Sequence, residues 1–106
     1  MEINSQVKAK IDGILSQHKV VLFMKGTPEQ PLCGFSARAT AILQELGTDF
    51  HTVNVLEHQD LREGIKAYGN WPTIPQLYIQ HKLVGGSDIM MEMYQAGELQ
   101  ETLKAL

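Results

Sequence analysis

The chain contains a single cysteine, Cys33, and the residues around it suit a reactive sulfur better than a packed one. It follows the loop Lys25-Gly26-Thr27-Pro28-Glu29-Gln30-Pro31-Leu32, where two prolines and a glycine exclude either regular element. It precedes a stretch of helical periodicity, which puts the thiol at a helix N-terminus. Unpaired backbone N–H groups and the positive end of the helix dipole favour thiolate over thiol there. Lys25, at the end of an expected strand, adds a nearby positive charge. A thiolate is both the nucleophile of disulfide exchange and the form that binds soft metals. The plainer reading is a buried, inert cysteine, since free Cys is among the most buried residue types. The proline-rich approach argues against it. One cysteine cannot close an intrachain disulfide, so any covalent chemistry at Cys33 involves a second molecule, and a reducing compartment is the natural setting.

Other chemistry-bearing residues give weaker signals. His18, His51, His58 and His81 show no i, i+4 spacing and no nearby cysteine, so a zinc site has little support and surface positions are expected. Met90, Met91 and Met93 fall at helical spacing and read as packing rather than as a soft-metal site.

The elements that must position Cys33 follow from periodicity. Ile3, Val7, Ile11, Ile14 and Leu15 describe an amphipathic first helix ending near His18. Val20 to Met24 is an uninterrupted apolar run, the pattern of a strand buried on both faces. After the loop, Phe35, Ala39, Ile42, Leu43 and Leu46 line one helical face, and Gly47 stops the helix. Phe50 to Val55 alternates as a strand, and Leu61, Ile65 and Tyr68 mark a helix closed by Gly69-Asn70. Trp71-Pro72-Thr73-Ile74-Pro75 reads as a stiff turn. Gln76 to Gln80 and Lys82 to Val84 form a tight hairpin around His81. Beyond Gly85-Gly86, Ser87 or Asp88 can cap a helix carrying Ile89, Met90, Met93 and Tyr94, and Gly97 separates a last helix with Leu99 and Leu103. The order α-β-α-β-α-β-β-α-α predicts an α/β chain of thioredoxin-like fold, one mixed four-stranded sheet flanked by helices. Ligand sites of such sheets lie at the carboxyl ends of the parallel strands, where the Cys33 loop falls.

Composition sets outer bounds. With 106 residues, 43% hydrophobic and 20% charged, the chain has room for one domain over residues 1–106. A formal net charge of -3 removes the broad basic surface that nucleic-acid or anionic-membrane binding would need. Apolar runs stay far short of a bilayer span. The opening residues Met1-Glu2-Ile3-Asn4-Ser5-Gln6 lack a basic n-region and an apolar stretch, so a cytoplasmic, bacterial setting is expected.

Three blocks together carry a resemblance. They are Lys25-Gly26-Thr27-Pro28 through Pro31-Leu32-Cys33-Gly34-Phe35-Ser36, then Trp71-Pro72-Thr73-Ile74-Pro75-Gln76-Leu77-Tyr78, then Gly85-Gly86-Ser87-Asp88-Ile89. In order and spacing they resemble the monothiol glutaredoxin family of the Cys-Gly-Phe-Ser type, over Val20 to Leu103. The resemblance implies that Cys33 is the reactive thiol and that glutathione is the ligand. Lys25 and Arg62 would hold its glycine carboxylate by charge-assisted hydrogen bonds. Pro75 would follow a cis peptide, with the backbone of Ile74 pairing with the cysteinyl part and Thr73 flanking that contact. The turn through Gly86 and Ser87 would offer N–H groups to the γ-glutamyl carboxylate, and Asp88 would take the amine. Phe35 would pack against the loop beside the same ligand, and Trp71 would play an auxiliary part at the rim.

Two departures limit what carries over. Ser36 stands where a dithiol enzyme has its resolving cysteine, so reduction of a mixed disulfide needs a second glutathione. Ser87 stands where many relatives carry a cysteine, which removes intramolecular disulfide regulation and leaves cluster binding untouched.

Two functions from different classes are implied. In one, a homodimer shares a labile [2Fe-2S] cluster held by two Cys33 thiolates and two glutathione thiolates, for transfer to apo iron-sulfur proteins, with BolA-like proteins as further partners. In the other, Cys33 serves a glutathione-dependent thiol-disulfide oxidoreductase that removes glutathione from proteins. The longer loop before Pro31 favours the carrier in this family and implies at most weak oxidoreductase activity. A scaffold with an incidental thiol is the third reading.

Overall fold

The computed structural model describes residues 2–106. Its centre is β1 (Val20–Met24), in which all five residues are buried. A run of β-branched and large apolar side chains with no polar face can only lie inside a sheet covered on both sides. β1 pairs parallel with β2 (His51–Asn54) and antiparallel with β3 (Gln76–Ile79), and β3 pairs antiparallel with β4 (Lys82–Gly85). The sheet order is β2-β1-β3-β4, the mixed four-stranded sheet of the thioredoxin-like fold.

Helices cover both faces. α1 (Ser5–Gln17) and α3 (Gln59–Gly69) pack together on one side; α2 (Gly34–Glu45), α4 (Ser87–Ala96) and α5 (Glu98–Lys104) lie on the other. The alternation of β1 divides the core accordingly. Val21 and Phe23 join Ile11, Leu15, Ile65 and Tyr78, whereas Val20, Leu22 and Met24 join Leu43, Leu77, Met90 and Leu99. Met90 is fully buried and Met91 and Met93 pack against the second core, as the packing reading of the methionines expects.

Local chemistry sets the ends. Asn4 caps α1 by accepting from the N–H groups of Gln6 and Val7. Asn70, in the left-handed region, ends α3. The hairpin turn is tighter than a loop: Gln80 and His81 both take positive φ, the two-residue turn whose twist matches the strands.

Two expectations are corrected. Phe35 does not join the apolar face of α2; it is 59% exposed in the first turn of the helix, where it borders a cavity and faces the Arg38 guanidinium. Neither Ser87 nor Asp88 caps α4; the N-cap is Gly86 without a side-chain bond, since Arg38 engages both side chains. His51, His58 and His81 are exposed and His18 is half-buried, as expected of surface positions, and three of them make specific contacts. His18 and His51 stack with ring centroids 3.8 Å apart, and His81 Nε2 lies 2.8 Å from the hydroxyl of Tyr68 and 3.3 Å from Asp12. No described helix is long and apolar enough to cross a membrane.

Candidate functional site

Because β1 and β3 run antiparallel, the end of β1 and the start of β3 lie at the same edge of the sheet. That juxtaposition brings the Cys33 loop against the Trp71–Pro75 turn, although the two are far apart in sequence. Cys33 is the N-cap of α2, extended at φ -153°, and its carbonyl oxygen accepts the first helical bond from the N–H of Ala37 at 2.9 Å.

The loop before it is rigid for identifiable reasons. Gly26 and Pro31 form an isolated antiparallel bridge, and the N–H of Leu32 donates to the Lys25 carbonyl at 3.0 Å. Thr27 and Gln30 exchange backbone bonds at 3.2 and 3.1 Å. Asn54, at the end of β2, accepts from the N–H of Gly26 at 3.0 Å, and Ser36 Oγ accepts from the N–H of Lys25 at 3.1 Å. Asn54 and Ser36 thus hold the loop from outside.

Partial burial pushes the Cys33 thiol up, but the backbone N–H groups of Ser36 and Phe35, the Ser36 hydroxyl and the charge of Lys25 together outweigh it. The net effect holds its pKa below the ordinary thiol value of 9.0. These N–H groups act on the sulfur electrostatically, without closing a capping hydrogen bond of full geometry.

The thiol opens on a cavity of about 530 Å³. Lys25 and Arg62 line it, as do Phe35, Thr73, Ile74 and Pro75. Gly86, Ser87 and Asp88 line it too, as does Trp71, so all eleven residues singled out for the site in the sequence border one space. The Ile74–Pro75 peptide is cis, as expected. The opposite wall is close-packed: a Cβ on Gly86 would sit 3.3 Å from the Pro75 carbonyl oxygen and 3.5 Å from Trp71 Nε1. Gly86 therefore first serves contact within the protein.

Sequence reasoning missed several contributors. Lys66, on α3 beside Arg62, also lines the cavity. Fully buried Gln76 braces the turn, donating from Nε2 to the carbonyls of Trp71 and Thr73 at 3.1 and 3.2 Å and accepting from the Tyr78 hydroxyl at 2.9 Å. Arg38 donates to Ser87 and Asp88. Only the i, i+4 spacing of Arg62 and Lys66 was available to signal Lys66; nothing local signals Arg38, whose partners lie on another helix. Among the described residues no group of three or more His, Cys, Asp or Glu could hold a metal ion, so Cys33 is the one thiolate this chain offers a soft metal.

A thiol of lowered pKa at the head of a thioredoxin-like sheet, opening on a groove with cations from α3 and an acid from α4, defines a thiol-exchange or thiolate-ligand protein. Residues 20–84 match the family model described as Glutaredoxin. A ycf64-like monothiol glutaredoxin of Synechocystis is 53% identical over 102 residues, 96% of this chain and 95% of that protein. The solution structure of reduced poplar apo GrxS14 superposes with a TM-score of 0.82 at 49% identity, covering 93% of this chain and 91% of that one. A buckwheat glutaredoxin–glutathione complex shares the fold at TM-score 0.83 and 23% identity, covering 98% and 96%. The chain belongs to the glutaredoxin family, and its single cysteine fits the monothiol type.

Proposed function

We propose that the groove binds glutathione and that two copies of the chain, each with one glutathione, carry a [2Fe-2S] cluster destined for apo iron-sulfur proteins. What carries this reading is the lone, pKa-lowered thiol bordering a cavity lined by the cations Lys25 and Arg62 and by the acid Asp88. That pattern of charge suits a peptide with a free carboxylate at one end and an amino-acid head at the other. The buckwheat glutaredoxin of the same fold is a glutathione complex, which supports the same ligand here. One thiol per chain cannot complete the four thiolates of such a cluster, so a second chain and two ligand thiolates supply the rest. A cluster half held by a diffusible tripeptide is suited to transfer, with apo iron-sulfur proteins and BolA-like proteins as partners and the cytoplasm as the setting.

The same thiolate supports a second activity. Cys33 attacks the glutathione sulfur of a glutathionylated protein, releasing the protein thiolate and keeping glutathione as a mixed disulfide. A second glutathione thiolate then attacks that sulfur, frees Cys33 as thiolate and leaves as glutathione disulfide.

The test is anaerobic reconstitution with iron, sulfide and glutathione, followed by visible absorption, circular dichroism and native mass. A coloured dimer that requires glutathione and is lost in Cys33→Ser is expected. A colourless monomer that reduces glutathionylated protein briskly would replace the carrier by the oxidoreductase.

A further inference from the structure

Arg38 lies on α2 behind the groove wall and does not line the cavity. Its guanidinium spans to the start of α4: Nε donates to Ser87 Oγ at 2.7 Å and Nη2 pairs with Asp88 Oδ1, while the group lies 5.9 Å from the ring centroid of Phe35. One side chain thus gathers three residues of the wall. The Asp88 side chain is 83% exposed, so without this partner its rotamer would be set by solvent alone. The bond to Arg38 occupies Oδ1 and leaves Oδ2 for a cation in the groove. Ser87 accepts from Arg38, which leaves its own hydroxyl hydrogen to donate. A free carboxylate oxygen beside a free hydroxyl donor matches a carbon bearing both an ammonium and a carboxylate.

We infer that Arg38 is a positioning residue that gives the groove its selectivity for a thiol ligand ending in an α-amino-acid head, acting through Asp88 and Ser87. This rests on the glutathione reading. α2 and α4 pack against each other, so the same contact fixes how far the head group sits from Cys33. The positive charge of Arg38 also competes for Asp88. Positioning prevails because the pair is exposed, where an ion pair is weak and readily shared, and because Arg38 stays outside the cavity.

The experiment is an exchange equilibrium read by mass spectrometry. The Cys33 thiolate attacks one sulfur of glutathione disulfide, forming the mixed disulfide and releasing one glutathione thiolate; the same is done with the disulfide of the des-amino analogue, glutaryl-cysteinyl-glycine. Effects on the Cys33 thiol itself cancel in the ratio of the two constants. The wild-type chain should prefer glutathione, and Arg38→Met should reduce that preference roughly tenfold, the scale of one hydrogen bond to a charged group. Arg38→Lys should retain part of it. Asp88→Asn, which keeps Arg38, should show the same loss, and the double variant no more than either. Equal weakening of both ligands by Arg38→Met, or an unchanged ratio, would overturn the assignment of Arg38 alone. A wild-type chain that does not distinguish the ligands would overturn the glutathione reading and the inference together.

Discussion

At the scale of the residue, the reactivity of Cys33 is a balance that substitution can tip. Burial opposes the thiolate, and the Ser36 and Phe35 N–H groups, the Ser36 hydroxyl and Lys25 favour it, in that order. Ser36→Ala removes the hydroxyl contribution and Lys25→Met the positive charge. Both should raise the thiol pKa, Ser36→Ala the more, and so lower the thiolate fraction at neutral pH. The pH dependence of ultraviolet thiolate absorbance and of alkylation rate checks this. Ser36→Ala also leaves the N–H of Lys25 unpaired in a half-buried loop, a loss of about 1–3 kcal/mol that denaturant titration would read. Cys33 was legible in sequence from residue type and the proline-rich loop before it, and Lys25 and Asp88 through the resemblance carried by their blocks. Arg38 and Gln76 were not. An arginine on an amphipathic helix reads as solvated, and a glutamine in a strand reads as ordinary, until the fold reveals the acid, hydroxyl or backbone carbonyls that each one meets.

Among the elements, the loop from Lys25 to Leu32 owes its shape to one glycine. Gly26 has φ +92°, and a Cβ there would lie 2.5 Å from the Gln30 carbonyl oxygen and 2.7 Å from the Leu32 nitrogen, both backbone atoms that cannot swing aside. Gly26→Ala should destabilise the chain by roughly 2–4 kcal/mol, combining left-handed strain with the clash. It should also return the Cys33 pKa toward an ordinary thiol as α2 loses its fixed start. Unfolding midpoints and alkylation kinetics on one preparation test both effects. The sequence marked this loop by its prolines and glycine. It could not mark Asn54, whose side chain anchors the loop from the end of β2. The capping expectation for α4 erred for a related reason: local pattern offered Ser87 and Asp88 as caps, and a side chain from α2 took them both.

For the whole molecule, stability in acid should fall in two steps that belong to two separate side-chain clusters. Burial and then the charge of neighbouring His18 hold His51 below the ordinary imidazole value of 6.5. Its contribution is complete above 6.5 and is lost as pH falls through the depressed folded value. Hydrogen bonds from Lys8 and Tyr68, against a smaller opposing effect of burial, draw Asp12 from 3.8 to about 2, with His81 adding to them. That contribution is complete above 3.8 and is lost as pH falls through about 2. Urea midpoints across pH should show both declines, with His51→Phe removing the upper and Asp12→Asn reducing the lower, to which Asp60, held below 3.8 by its hydrogen bond from Lys10, also contributes. The element order and the mixed sheet were legible in sequence because each segment carries its own period; the stacking of His18 on His51 and the Tyr68–His81–Asp12 cluster were not, being products of packing between segments. The antiparallel pairing of β1 with β3 has a last consequence, for the way the chain is made. Cys33 is synthesised well before Trp71–Pro75 and α4, and at about 5–20 residues per second several seconds separate them. During that interval the nascent chain exposes a sulfur without a groove. The thiol is then most open to stray oxidants on the ribosome, and prompt completion of the strand that seals the sheet is its first protection.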